Sequence, residues 1–394
     1  MKQDINKATN QTPQDRSLAD TVLCCIFYVL ACAYIPIAMC MPMHELASAV
    51  LALGVSVAGI LILFRIARTF SAIASYTIIL GILILFGGTL LPIGLFSAFV
   101  TATCVFAHAT LNKKAPIIWG LPLIPLAVAI LIFKSPSAAV LSLATLPCSL
   151  LLAYSVKHKI ARVGSVCRIS LGICIFVIAL FCAEVWSAYG ELTLASSRAL
   201  IESLRNYTVL LFDSAAAELG SAIGIDTATS DVKNLVDVTV ASMFNLLPAL
   251  IITASNIVAY VIHSLFLSVS FTSDEEKKEA VPMIILNMSL ASAIVYLCSF
   301  VLSFALSSES VALYGTAAEN MLLILAPGLI LTTLGVIRGI SAKKGPSCLG
   351  TLLYFAVIFL LISFSAFAII AVSFAGAILI ISAHIAKRKS DKAQ

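Results

Sequence analysis

Residues 18–41 read LADTVLCCIFYVLACAYIPIAMCM, twenty-four positions whose one charge, Asp20, sits near the start. A helix rises 1.5 Å per residue, so ~20 apolar residues cross a hydrocarbon core of ~30 Å. A barrel strand would instead alternate over ~10 residues, and this run does not alternate. Lipid offers the backbone no hydrogen-bond partners, and a helix satisfies its peptide groups from within. The stretch therefore predicts a membrane-crossing helix.

The same pattern recurs down the chain. The protein is 61% hydrophobic and only 11% charged, against about 25% charged for soluble domains. Further spans are expected at Leu46–Phe64, Ser71–Phe86, Leu91–Leu111, Ile117–Phe133, Ala138–Val156 and Ile169–Tyr189. After a break come Val238–Val269, Val281–Leu306, Tyr314–Ile337, Leu349–Ala366 and Phe367–Ile385. The expected fold is all-α, a polytopic transmembrane helical bundle of about 12 spans with one amphipathic helix on the outer side. Two boundaries rest on very little sequence: Gly87-Gly88-Thr89 and Ala366-Phe367. The organisation is a polar tail at 1–17, an N-terminal bundle at 18–189, an extracytoplasmic segment at 190–237, a C-terminal bundle at 238–386 and a basic tail at 387–394. The start lacks the order of a cleavable signal peptide, so the first span is expected to stay.

Charge sets the orientation. Cytoplasmic loops carry the Lys and Arg excess. With the N-terminus inside, only Lys134, Arg198, Arg205 and Lys233 of the 24 basic residues fall on the outer side. The expectation is a multi-pass protein of the cell membrane with both termini cytoplasmic. The net charge of +5 is then topological and does not indicate nucleic acid. On the outer side, Leu200–Leu219 has Glu202, Asn206 and Asp213 on one helical face and Leu204, Leu211 and Ala215 on the other. Such a helix lies on the membrane surface or packs over loops. Gly220–Ser230 reads as a flexible link. The eleven cysteines, among them Cys24, Cys25, Cys32, Cys174, Cys182 and Cys298, sit almost entirely in apolar runs with no C-x-x-C pair, and read as small packed hydrophobes.

No catalytic motif is present. Gly339–Gly345 looks superficially like a P-loop but lacks the lysine-then-Ser/Thr ending. G-x-S-x-G and H-E-x-x-H are absent, and no enzyme activity or cofactor is expected. Met39-Cys40-Met41-Pro42-Met43-His44 gathers ligands suited to Cu(I), but no second cluster completes a metal site. Polar groups inside a bilayer are costly and so point to function. Glu184, Trp186, Asn245, Glu319 and Asn320 lie near the outer ends of their spans. If those helices adjoin, they form an outward pocket of two carboxylates, two amides and aromatic walls, fit for a small polar or cationic solute. The alternative is that these groups are wet residues of the interfacial belt. Pro248 frees a carbonyl one turn earlier in its span. Asn256, deeper in the same span, is either a substrate ligand or an interhelical partner for Asn287. Small-residue stripes run along Gly328, Thr332, Gly335 and Gly339, along Ala67, Ser71 and Ser75, and along Ala371 and Ala375. They let helix backbones approach closely, within this chain or against another membrane protein.

The order of features from about Leu200 to Ile385 resembles a known family. An outer amphipathic helix leads to a span with Leu247-Pro248-Ala249, Ser255 and Tyr260, then the inner loop Asp274-Glu-Glu-Lys-Lys and a span led by Pro282. A span led by Asn320 then ends Leu334-Gly-Val-Ile-Arg338-Gly339, and a hairpin closes the chain. This is similar to the YybS-like family of bacterial membrane proteins, a domain family of unknown function remotely similar to the S components of energy-coupling-factor vitamin transporters. The resemblance implies a solute-binding subunit working with a coupling protein and ATPase subunits, and assigns no catalytic residue. S components have fewer spans and an early alanine-x-x-x-alanine coupling face, for which this chain has only Ala67, Ser71 and Ser75. Two functions are thus open: a transport-related solute-binding protein, or a non-transporting scaffold for envelope or cell-division assembly.

Overall fold

The computed structural model describes residues 18–42, 44–67, 69–87, 90–112, 120–223, 230–270, 288–305, 312–343 and 365–393. Among the described residues there are fourteen helices and no strand. They are α1 (Leu18–Cys40), α2 (Glu45–Ile66), α3 (Ser71–Gly87), α4 (Leu90–Asn112), α5 (Leu123–Phe133), α6 (Pro136–Ser142) and α7 (Thr145–Lys157). Then follow α8 (Arg162–Tyr189), α9 (Leu194–Ile223), α10 (Ser230–Asn245), α11 (Leu247–Ser270), α12 (Leu290–Ala305), α13 (Ala312–Lys343) and α14 (Ser365–Ala393).

Eight stretches are long and apolar enough to cross a membrane: α1, α2, α4, α6 with α7, α8, α11, α13 and α14. Parts of α3, α5 and α12 form shorter apolar helices. The chain is thus a helical membrane protein, with eight full-length spans among the described residues. The tail 1–17, most of the expected eleventh span, the start of the ninth, the loop at Asp274, and Asn287 lie outside the described residues.

Two expected boundaries change. The eighth span starts at Leu247 rather than Val238, because α10 ends at Asn245 and Leu246 separates the helices. The sixth span is broken at Leu143-Ala144, where Leu146 N–H donates to Leu143 O at 3.0 Å. Pro147 has no N–H for that carbonyl, so the turn tightens there. The last span runs Phe367–Ala386 within α14, against the expected Phe367–Ile385.

The chain divides into two compact units. The first comprises Met1–Ala188 and Val258–Met283. Its centre is α4, where Ala98, Val100, Ala102, Cys104, Val105 and Ala107 are fully buried. Between Val100 and Ala109 this helix is buried on every side, and Thr101 and Thr103 turn their hydroxyls back onto Ser97 O and Phe99 O. Helices α2 and α4 meet through small residues: Gly59 faces Thr101, and Gly94 faces Ala52. Some polar atoms in this core pair with one another. Thr145 Oγ1 donates to Tyr28 OH at 3.4 Å and lies 3.2 Å from Cys32 Sγ, while Tyr28 stacks on Phe106 with centroids 4.4 Å apart. At one end of the unit Arg65 pairs with Asp20, Thr69 N–H donates to Ser268 O at 3.1 Å, and Arg162 Nη2 donates to Ser264 Oγ at 3.0 Å. The starts of α1 and α8, the ends of α2 and α11 and the entry to α3 therefore share that end.

The second unit comprises Tyr189–Ile257 and Ile284–Gln394. Its core joins α12, α13 and α14 around Ala293, Tyr296, Ala326, Leu329 and Ala377. Thr333 Oγ1 donates to Val372 O at 3.0 Å, and Ser373 Oγ to Ala326 O at 3.4 Å. Gly376 lies directly against the Leu329 carbonyl. The expected stripe on α14 is out of phase: Ala371 and Ala375 are exposed, and the buried face is Val372, Ser373, Gly376 and Ala377. Helix α9 is longer than the expected Leu200–Leu219 and packs with α10. Thr193 and Ser196 cap it reciprocally: Ser196 N–H donates to Thr193 Oγ1 at 3.1 Å and Thr193 N–H to Ser196 Oγ at 3.0 Å.

Gly190 leads into this cap with φ of +73°, where an L side chain costs roughly 1–2 kcal/mol. Gly190→Val is expected to loosen the turn. Hydrogen exchange over residues 189–196 should speed up, and unchanged protection there would count against the strain.

Candidate functional site

Helices α10 and α11 are nearly one helix. Leu246 N–H still donates to Ser242 O at 3.1 Å, and Leu250 N–H to Leu246 O at 2.9 Å. The ladder fails between these bonds. Pro248 has no N–H to give the Phe244 carbonyl, and its ring crowds that carbonyl. Ala249 N–H, whose regular acceptor would be Asn245 O, is displaced from it. The side chain of Asn320 on α13 fills the opening. Its Oδ1 accepts from Ala249 N–H at 3.1 Å, and its Nδ2 donates to Asn245 O at 3.2 Å. One carboxamide thus takes the place of the missing turn. Nδ2 also donates to Thr316 O, one turn back on its own helix, at 2.8 Å, which fixes the amide in this orientation. One turn deeper, Thr253 Oγ1 donates to Leu323 O at 3.1 Å.

The splice has an electrostatic consequence. An open helix N-terminus would present free N–H groups and attract anions. Here Ala249 N–H is consumed and the ladder is carried across the kink. Around it lie the half-buried Phe244, the exposed Asn245 carboxamide and the exposed carboxylate of Glu319 beside Asn320.

Glu184 and Trp186 belong to the first unit. Both are exposed, and Glu184 lies within electrostatic reach of Cys40 at the end of α1. Asn256 is half-buried two turns beyond Pro248, and Gly335 is buried on α13. Gly339 is helical, but its surroundings lie outside the described residues. His44 Nδ1 accepts from Leu46 N–H at 3.4 Å and caps α2. Among the described residues no three His, Cys, Asp or Glu side chains gather to hold a metal. The structure brings Asn245, Pro248 and Asn320 together and leaves Glu319 beside them. It adds Thr253, which the sequence displayed only as one of several hydroxyls in its span.

No family model, curated protein or solved structure matches this chain.

Proposed function

We propose that this chain is a transport-related integral membrane protein that binds a small polar or cationic solute at the opened turn between α10 and α11. One observation carries the reading: a helix is interrupted at Pro248, bridged by Asn320, and flanked by the exposed side chains of Asn245 and Glu319. Interrupted helices in transporters leave backbone carbonyls to coordinate cations, and Glu319 adds the complementary charge. The role is binding rather than catalysis. About 12 spans, both termini cytoplasmic and α9 on the outer membrane surface complete the proposal. The YybS-like resemblance adds a coupling protein and ATPase subunits as partners.

Thermal-shift measurement against a panel of small ammonium compounds tests it. A stabilising compound should lose its shift in Glu319→Gln and keep it in Glu202→Gln on α9. A shift retained in full by Glu319→Gln would sink the site.

A second reading has its own support. Helix α9 exposes Ile201, Leu204, Tyr207 and Leu211, an apolar surface suited to a scaffold for envelope or cell-division assembly. Pull-down in mild detergent separates the two readings: ATPases and a coupling protein favour transport, envelope-assembly proteins favour the scaffold.

A further inference from the structure

The hairpin joining α7 to α8 carries Lys157, His158, Lys159, Arg162 and Arg168, and between Glu45 and Glu184 the chain has no Asp or Glu. Arg168 lies six residues into α8, a rise of about 9 Å from Arg162, so its charge is held below the helix end. No carboxylate among the described residues is within ion-pair distance of it. Its guanidinium lies over Tyr154 instead, with Cζ 5.4 Å from the ring centroid. The His158 ring packs on the same tyrosine, centroids 4.3 Å apart. An aromatic face holds a cation without neutralising it. Arg168 Nη1 is buried and has no hydrogen-bond partner among the described residues, although a buried N–H of this kind favours an acceptor.

The tier is open on one side. Tyr154 is 52% exposed, and Lys157, His158 and Lys159 are exposed around it. Below it, Leu171, Ile175 and Ile178 are 57%, 52% and 62% exposed. With Arg168 they follow the spacing of one helical face. The lane from Arg168 to Ile178 is about 15 Å long, close to half of a ~30 Å hydrocarbon core. Cation and aromatic at the top, with an apolar lane of one leaflet's depth beneath, match a headgroup phosphate with its acyl chain. A soluble anion would have no use for the lane.

We propose that Arg168, Tyr154 and His158, flanked by Lys157 and Lys159, form a binding site for the phosphate of an anionic phospholipid whose acyl chain lies along Leu171, Ile175 and Ile178. The site is independent of the α10–α11 kink. Native mass spectrometry of the full chain from mixed phosphatidylglycerol and phosphatidylcholine tests it. Wild type should retain the anionic lipid preferentially, and Arg168→Gln should lower that preference about fivefold or more, the scale of one headgroup cation. Arg168→Lys should restore part of it. Lys157→Gln/Lys159→Gln, a pair on the exposed surface, should also lower it if Arg168→Gln fails to fold. Lys134→Gln removes one exposed charge elsewhere in the same unit and should change nothing. An unchanged preference in both hairpin variants, or an equal loss in Lys134→Gln, overturns the site. Release of the lipid by millimolar inorganic phosphate would assign the cations to a soluble anion and overturn it too.

Discussion

Asn320→Leu is expected to lower the thermal midpoint of the purified protein by several degrees, and Pro248→Ala in the same chain to return most of the loss. Leucine keeps the volume of asparagine roughly but removes both bonds of the splice. Ala249 N–H and Asn245 O are then left without their partner. Each orphaned backbone group costs about 1–3 kcal/mol where water is scarce, so the sum is about 2–4 kcal/mol, discounted at the more exposed Asn245 end. An alanine at 248 restores an N–H for the Phe244 carbonyl and removes the ring that props the turn open. Ala249 N–H can then return to Asn245 O, and Asn320 has no gap to fill. The two substitutions should therefore be strongly non-additive. Thr253→Val supplies the comparison: it removes one bond to Leu323 O, should cost less, and should gain nothing from Pro248→Ala. Equal losses for Asn320→Leu with and without Pro248 would show that the amide does not serve the kink.

This splice marks how far the sequence can be read. The cost of polar groups in apolar runs singled out Asn245 and Asn320, and proline chemistry located a freed carbonyl one turn before Pro248. Both are local arguments, and both point to residues that meet in the structure. Their pairing is not local, since the two asparagines lie 75 residues apart. An amide that could bind solute and an amide that repairs a helix look identical in sequence. The helical character was legible because hydrocarbon leaves the backbone few alternatives. Span limits were less so: the eighth begins at Leu247 rather than Val238, and Pro147 breaks the sixth without ending it. One small-residue stripe, that on α14, differs in phase, whereas Thr332 and Gly335 of the α13 stripe are buried. Periodicity shows that α14 has a small face, but Ala371 and Ala375 sit only one position away from Val372 and Gly376, and only the partner helix decides between the two rows.

That phase is testable by the substitution expected to be most damaging, Gly376→Leu. Between membrane helices there is little hydrophobic drive, so association depends on close backbone approach and interhelical hydrogen bonds. At Gly376 the neighbour is the Leu329 carbonyl, part of the α13 backbone, with Thr333 Oγ1 2.7 Å from where a Cβ would stand. A carbonyl cannot swing aside as a side-chain tip can. The helices must separate, and separation removes the Thr333–Val372 and Ser373–Ala326 bonds and opens the fully buried Leu329 and Ala377. Overpacking alone costs about 1–3 kcal/mol. With the bonds added, the second unit should lose its packed core, read as aggregation on size exclusion or a collapse of thermal stability. Ala375→Leu, one position away and exposed, should stay within about 0.5 kcal/mol of wild type. Gly81→Leu on α3, where a Cβ meets nothing within 4 Å, should do the same. If Ala375→Leu proves as damaging as Gly376→Leu, the approach of α14 to α13 is not through the row that Gly376 defines.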